Sequence, residues 1–171
     1  MITRLARFFT CGCFVGLMCA CTNIECPLDN LVSVTIGMYD AENGKSFILK
    51  DSLTVLSSPK DTILLNRAQG ISSFSVPLRH IGEVDTFLLY FSDISQSATD
   101  TLFIKKTNHP HFESVDCPAT FFHTLHKVEW TSHALSEYPL TIDSVVLSRS
   151  KVDYEDIENV KIYFRSTTFT K

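Results

Sequence analysis

Apolar and polar residues alternate along most of the chain after residue 30, which is the period expected of β-strands with one buried face. In Val32–Tyr39, for example, valine, isoleucine and methionine alternate with serine, threonine, glycine and tyrosine. No stretch of ten or more residues has a convincing helical period, and turn signals such as Asn43-Gly44 separate the apolar segments. The pattern predicts eight or nine strands, drawn from residues 32–39, 47–56, 62–65, 73–78, 86–91, 101–106, 120–130, 142–147 and 160–164.

Short strands at close spacing predict an all-β fold, a β-sandwich of roughly eight or nine mostly antiparallel strands, with a β-barrel as the alternative. Thr86–Phe91 is the most apolar segment and is predicted to be a central strand. Pro77 confines its own strand to a sheet edge or makes it the strand's end, because proline cannot donate to the ladder.

The first twenty residues have the layout of an export signal. Arg4 and Arg7 precede an apolar run from Phe8 to Ala20, which is too short for the roughly 20 residues of a membrane-spanning helix. The run closes on Met18-Cys19-Ala20-Cys21, which resembles the lipobox read by lipoprotein signal peptidase. We therefore expect residues 1–20 to be a lipoprotein signal peptide, with lipid attached to Cys21. An ordinary secreted protein and an uncleaved anchor are the alternatives.

Removal of this leader would change both the extent and the net charge of the chain. Residues 21–30 are predicted to be the lipidated cysteine and a tether, and residues 31–171 a single β-sandwich domain. The leader holds two of the fifteen basic residues and none of the nineteen acidic ones, so the net charge moves from −4 to −6. This acidic balance without a basic stripe argues against a nucleic-acid partner.

Three of the six cysteines remain after cleavage, at positions 21, 26 and 117. Because Cys21 would carry lipid and exported proteins meet an oxidising compartment, we predict a disulfide between Cys26 and Cys117. Two free thiols are the alternative.

Candidate chemistry is weak elsewhere. His109, His111, His123 and His126 are the candidate metal ligands, but no zincin pattern accompanies them, and exposed or half-buried strand histidines explain them more simply. A nucleophile elbow, a phosphate loop and a dinucleotide fingerprint are all absent from the sequence. We therefore predict no metal, no cofactor, no catalytic residues and no enzymatic activity, with a hydrolase as the least favoured alternative.

Aromatic residues provide a further lead for binding. A surface formed by several of them would suit a sugar or a protein, although core or cross-strand packing is the simpler expectation. The residues concerned are Trp130, Tyr39, Tyr90, Tyr138 and Tyr163.

Several segments together resemble an uncharacterised lipoprotein family of Bacteroidetes. They are the lipobox, Cys26 shortly after it, Cys117 before an apolar strand, Ile142-Asp-Ser-Val-Val-Leu147 and Asn159-Val-Lys-Ile-Tyr-Phe164. The chain departs from that family at Pro118, where members tend to have glycine. The resemblance implies a location and a fold rather than a mechanism.

These observations predict an envelope lipoprotein that acts as a structural or accessory interaction module, with an envelope protein as partner. Surface lipoproteins of that phylum often carry several acidic residues after the lipidated cysteine, whereas Thr22–Glu25 contains one. We therefore expect the outer membrane, facing the periplasm. A glycan- or ligand-binding lipoprotein at the cell surface is the alternative.

Overall fold

The computed structural model describes Cys26 and residues 31–167. No helix in this part of the chain has the length and apolar character needed to cross a membrane. The described residues form ten strands: β1 (Ser33–Asp40), β2 (Ser52–Ser58), β3 (Thr62–Ala68), β4 (Ser73–Pro77), β5 (Val84–Ser92), β6 (Ser97–His111), β7 (Thr120–Thr131), β8 (Leu140–Leu147), β9 (Lys151–Val152) and β10 (Glu158–Ser166).

The strands form two sheets that pack face to face. One has the order β4-β1-β10-β8 and the other the order β3-β2-β5-β6-β7-β9. Only β1 and β10 pair in parallel among the described strands; all other pairs are antiparallel. One of the two sheets is strongly curled. The predicted all-β sandwich is confirmed, β5 is central as predicted, and Pro77 ends the edge strand β4.

Alternating residues of both sheets fill one apolar core. Phe91 of β5 contacts Phe164 of β10 edge-on, with ring centroids 5.7 Å apart, so that this pair joins the two sheets. Both side chains are fully buried, and burial of one such side chain contributes about 1.5–3 kcal/mol. The other members with no exposed surface include Val34, Ile36, Met38, Leu89, Leu102, Ile104, Val160 and Ile162.

Two predicted strands have different limits in the structure. The segment predicted at 47–56 becomes a strand only at Ser52, because Leu49 pairs through an isolated bridge with Ile71 rather than within a sheet. The strand predicted at 101–106 extends over fifteen residues, from Ser97 to His111. The short β9 was not predicted, and its two residues pair only with β7.

The strands run between two opposite ends of the sandwich. The first, here called the disulfide end, comprises residues 31–32, 78–83, 112–119 and 153–157, which adjoin the starts of β1, β5, β7 and β10. The second, called the cleft end, comprises residues 41–51, 93–96 and 132–139. Since β1 spans eight residues at about 3.3 Å each, roughly 23 Å separates the two ends along that strand.

Candidate functional site

Cys26 and Cys117 form a disulfide, with their Cα atoms 5.5 Å apart. The predicted pairing is therefore confirmed. Cys117 is buried in the connection between β6 and β7, so the bond attaches the start of the chain to the disulfide end. Cys21 and the whole predicted leader lie outside the described residues, and the lipidation of Cys21 stays a prediction.

The four histidines considered as metal ligands have separate surroundings. His109 and His126 each hydrogen-bond a threonine hydroxyl on the neighbouring strand. His111 stacks on a phenylalanine ring, with centroids 4.4 Å apart. Of the four, His123 is the one that is buried, and its Nδ1 lies 2.8 Å from the Asn108 side-chain oxygen. Among the described residues, no group of three or more His, Cys, Asp or Glu side chains gathers in a way that suits a metal ion.

A buried lysine lies beside His123, under the loop at the disulfide end. Lys106 Nζ donates to the backbone oxygen of Arg79 at 2.5 Å and to Asn108 Oδ1 at 2.5 Å. The Asp85 carboxylate lies 3.5 Å from the same nitrogen and also pairs with the Arg79 guanidinium at 2.6 Å. Because the Lys106 and Asp85 side chains are buried, this cluster attaches the 78–83 loop to β5 and β6.

Burial changes the proton affinity of this cluster. Desolvation lowers the pKa of Lys106, and the charge of Asp85 opposes that change. Desolvation, assisted by the positive charge of Lys106, lowers the pKa of His123 to about 4. His123 is therefore neutral at pH 7. The adjacent Lys105-Lys106 looks like an exposed basic pair in the sequence, but strand alternation requires one of the two to face inward.

The cleft end contains a first cleft of about 620 Å³, within the range of ligand-binding pockets. Its apolar wall includes Phe47, Ile48 and Leu140, and Lys45 and Lys50 provide cationic groups. The remaining lining residues are Asp40, Asn43, Ser46, Asp51, Pro139 and Ser166. The cleft thus combines an apolar wall with both signs of charge.

A second cleft of about 740 Å³ adjoins the first, and Lys50 and Asp51 line both. Its lining is more polar than that of the first cleft and includes the cationic Arg67 and the anionic Asp93. Tyr90 and the fully exposed Ile94 provide its apolar surface. The remaining lining residues are Ser52, Gln69 and Ser92. The two clefts therefore form one continuous surface about the shared pair.

The carboxylates of the two clefts are already bound within the chain. Asp51 accepts a hydrogen bond from the Tyr138 hydroxyl at 2.8 Å, and Asp40 accepts from the Asn43 side chain and the Glu42 backbone N–H. The Asp93 carboxylate accepts N–H groups of the following turn, which lowers its pKa. These three acids therefore serve as hydrogen-bond acceptors for neighbouring groups of the chain.

The cations of the clefts have no such internal partners. The side chains of Lys45, Lys50 and Arg67 are exposed, and none of the three forms an ion pair with a carboxylate in the described part of the chain. Lys45, Lys50 and Arg67 are therefore available to pair with an anionic group on a ligand, beside an equal number of carboxylates that line the clefts.

A buried aspartate–histidine pair holds one segment of the cleft end in place. Asp100 is completely buried and accepts the backbone N–H and the ring Nδ1 of His133, at 2.8 and 2.6 Å. The second carboxylate oxygen accepts the backbone N–H of Ile142 at 3.2 Å. The His133 ring lies edge-to-face against Tyr138, with centroids 6.0 Å apart. Asp100 therefore fixes the 132–139 segment, which carries Tyr138 to Asp51.

Comparison with protein families places most of this structure in a known family. A model described as a family of unknown function (DUF6452) matches residues 52–164. The chain belongs to this family. Searches of the curated proteins and of the solved structures find no match.

The DUF6452 match covers β2 to β9 and most of β10. It contains Cys117, the Lys106 cluster and the Asp100–His133 pair, whereas Cys26, β1 and Asp51 lie before it. The disulfide therefore joins a cysteine outside the matched segment to one inside it.

The aromatic residues of this DUF6452 protein do not form one surface. Tyr138 is fully buried, and Trp130 packs half-buried against the core. Tyr39 and Tyr163 pair on the four-stranded sheet, with ring centroids 5.5 Å apart. Tyr90 is the member of the group that lies exposed beside a cleft. Core and cross-strand packing therefore account for most of this group.

Proposed function

We propose that this DUF6452 protein is a lipid-anchored lipoprotein of the cell envelope that binds a partner protein through its two clefts and catalyses no reaction. One observation carries the proposal: the disulfide attaches Cys26 to the end of the sandwich opposite the clefts. Cys26 follows the proposed lipid-bearing Cys21 by five residues. An anchor at one end would therefore present the clefts away from the membrane.

The N-terminal sequence supports the anchor and its location. The positive start, the 13-residue apolar run and the Ala20-Cys21 junction are typical of lipoprotein precursors, and the resemblance to a Bacteroidetes lipoprotein family agrees with this interpretation. The single acid among residues 22–25 favours the periplasmic face of the outer membrane over the cell surface.

The charges of the clefts indicate the chemistry of the partner. Lys45, Lys50 and Arg67 are available to bind carboxylates, while the exposed Ile48 offers apolar contact. We propose that the partner is an envelope protein that inserts an acidic segment with an adjoining apolar side chain.

The surroundings of the Asp100–His133 pair support a non-catalytic role. The Asp100–His133 pair resembles part of a catalytic triad, but the His133 side chain is only 5% exposed. No serine or cysteine in the described residues hydrogen-bonds its ring. The pair also holds a loop in place, which explains its burial. We therefore assign it a structural role.

Photo-crosslinking in cells tests the proposal. A benzophenone amino acid at Ile48 or Tyr90 should capture a specific protein, and the same group at Val146, on the outer side of β8, should not. Lys45→Glu with Lys50→Glu should abolish the capture. Lys60→Glu, at an exposed turn away from the clefts, should leave it unchanged. Equal capture at Val146, or insensitivity to the double substitution, would contradict a cleft-bound acidic partner.

The second candidate is a surface lipoprotein that binds a glycan. The exposed ring of Tyr90 beside polar groups of the second cleft favours it, because sugars stack on such rings. Protease treatment of intact cells separates the two candidates: a periplasmic protein survives and a surface protein is degraded. Glycan binding lost in Tyr90→Ala would support the second candidate.

A further inference from the structure

The exposed apolar side chains of the described residues concentrate at the disulfide end. Seven of the twelve large ones lie in or next to the segments that form this end: Leu31, Ile81, Val84, Phe112, Val115, Tyr154 and Ile157. Val115 is 98% exposed and Phe112 is 63% exposed, although both are in the short connection that contains the buried Cys117. Apolar groups grouped in this way mark a surface that meets an apolar partner.

Contacts within the fold connect this surface. His111 precedes Phe112 and stacks on Phe122, whose ring contacts Tyr154 edge-on with centroids 5.0 Å apart. Tyr154 and Leu31 line one shallow hollow of about 310 Å³, together with the carboxylates of Asp153, Glu155 and Asp156. The 112–117 connection, Tyr154 and the first residues of the domain therefore face the same region.

The length of the chain identifies what meets this surface. Cys26 lies five positions after Cys21, so the two Cα atoms lie at most about 18 Å apart. The disulfide adds 5.5 Å between Cα atoms to reach Cys117, and Val115 is two residues from it. Without the bond, the domain would begin at Leu31, ten residues from Cys21, with a reach of about 36 Å. The disulfide thus shortens the reach from Cys21 to the domain from about 36 Å to about 24 Å.

We propose that the disulfide end sits on the bilayer and inserts Phe112 and Val115 between the lipid headgroups. The proposal rests on the lipidation of Cys21 given under the proposed function. Glu113 and Asp116 flank Val115, so anionic lipid would repel this loop, and the occupant is a bilayer of zwitterionic lipid. Apolar side chains at the interface bury themselves at the boundary of the acyl region, as in monotopic proteins. The domain is then held upright, with its clefts facing outward.

Depth-dependent quenching in vesicles tests this arrangement. The lipidated full chain is reconstituted in phosphatidylcholine vesicles, with a fluorescent amino acid at position 115 or, as control, at Ile48 of the cleft end. Nitroxide on the lipid headgroup or upper acyl chain should remove most of the emission at position 115 and little at Ile48. Aqueous iodide should show the reverse order.

The outcomes separate this proposal from the proposed function. Flotation with vesicles and the mass of the N-terminal peptide report lipidation independently of the label. A floated, acylated protein whose position 115 is open to iodide would overturn the insertion and leave the anchor intact. A label shielded from both quenchers would show that a second copy or another protein covers the loop, which also overturns it. Absence of acyl mass would overturn both proposals.

A paired variant provides a second test. Phe112→Ser with Val115→Ser should remain acylated and float, but the clefts should lose their fixed distance from the membrane. The distribution of energy-transfer efficiencies between a donor at position 48 and a dye on the lipid should then broaden. Ile63→Ser, at an exposed position on β3, is the control and should leave the transfer unchanged. Identical transfer in the paired variant and the native chain would contradict insertion.

Discussion

Replacement of His123 by asparagine should weaken the acid sensitivity of folding. The buried His123 has a pKa of about 4 because of desolvation and the charge of Lys106, whereas an unfolded histidine has a pKa of about 6.5. The unfolded chain therefore binds more protons between these values. Consequently the free energy of unfolding falls as the pH drops through 6.5 and levels off below about pH 4.

The size of the effect follows from the two pKa values. Between pH 7 and pH 5, this one group should remove about 2 kcal/mol of stability. Asparagine can keep the hydrogen bond to the Asn108 side-chain oxygen, since its side-chain nitrogen takes the place of Nδ1, and it does not titrate. His123→Asn should therefore lose about 2 kcal/mol less than the native chain over the same interval.

Urea unfolding of the oxidised protein at pH 7, 6 and 5 measures this difference. His126→Asn, which changes an exposed histidine on the same strand, is the matched control and should follow the native chain. Carboxylates titrate equally in all three proteins and cancel in the comparison. A difference below about 0.5 kcal/mol between His123→Asn and the control would refute a neutral, buried His123.

Three further changes test the remaining supports of the fold. Cys26→Ser with Cys117→Ser should lower the free energy of unfolding measured in urea by about 2–4 kcal/mol, because the bond closes a long loop. If a reductant left the urea midpoint of the native chain unchanged, this prediction would be wrong. Asp100→Asn should cost about 2–4 kcal/mol in the same assay, since three N–H groups lose a charged acceptor; a loss near zero would exclude the role given to Asp100. Tyr138→Phe should cost about 1–2 kcal/mol and release the Asp51 carboxylate, which thermal unfolding and carboxyl NMR shifts would detect; unchanged shifts would argue against that contact.

Much of the architecture could be predicted from local alternation. β5, β7 and β8 have a clear apolar face, and their predicted limits differ from the observed ones by a few residues. The disulfide followed from counting cysteines after removal of the leader, and its pairing needed no knowledge of the fold. Such features depend on neighbouring residues or on composition, which the sequence displays directly.

Other features of the fold could not be predicted, because they depend on polar residues that are buried or on distant contacts. Residues 97–100 fall between the predicted strands 86–91 and 101–106, but the structure includes them in β6. Asp100 faces the core, where it accepts hydrogen bonds from N–H groups of β8 and of the preceding loop. Lys106 likewise interrupts the apolar face of β6 and is stabilised by groups from a distant loop. The parallel pairing of β1 with β10 also depends on contacts more than 120 residues apart. Alternation alone cannot show any of these.

The clefts were beyond sequence reasoning for a related reason. Lys50, Arg67, Tyr90 and Leu140 come from separate segments, and only the packing of the two sheets brings them together at one end. Each of these residues, taken singly, is of a type that is common in loops or at strand ends. The alternation pattern therefore identified the elements but not the surface that they form.

The mass of the mature N-terminus tests the central claim most directly. The protein is isolated from the membrane fraction and compared with Cys21→Ser. We expect the native chain to begin at Cys21 and to carry acyl chains on that residue, and we expect Cys21→Ser to retain its leader and lack the lipid. A native chain that begins elsewhere without acyl mass would contradict the lipid anchor, and with it the orientation of the clefts.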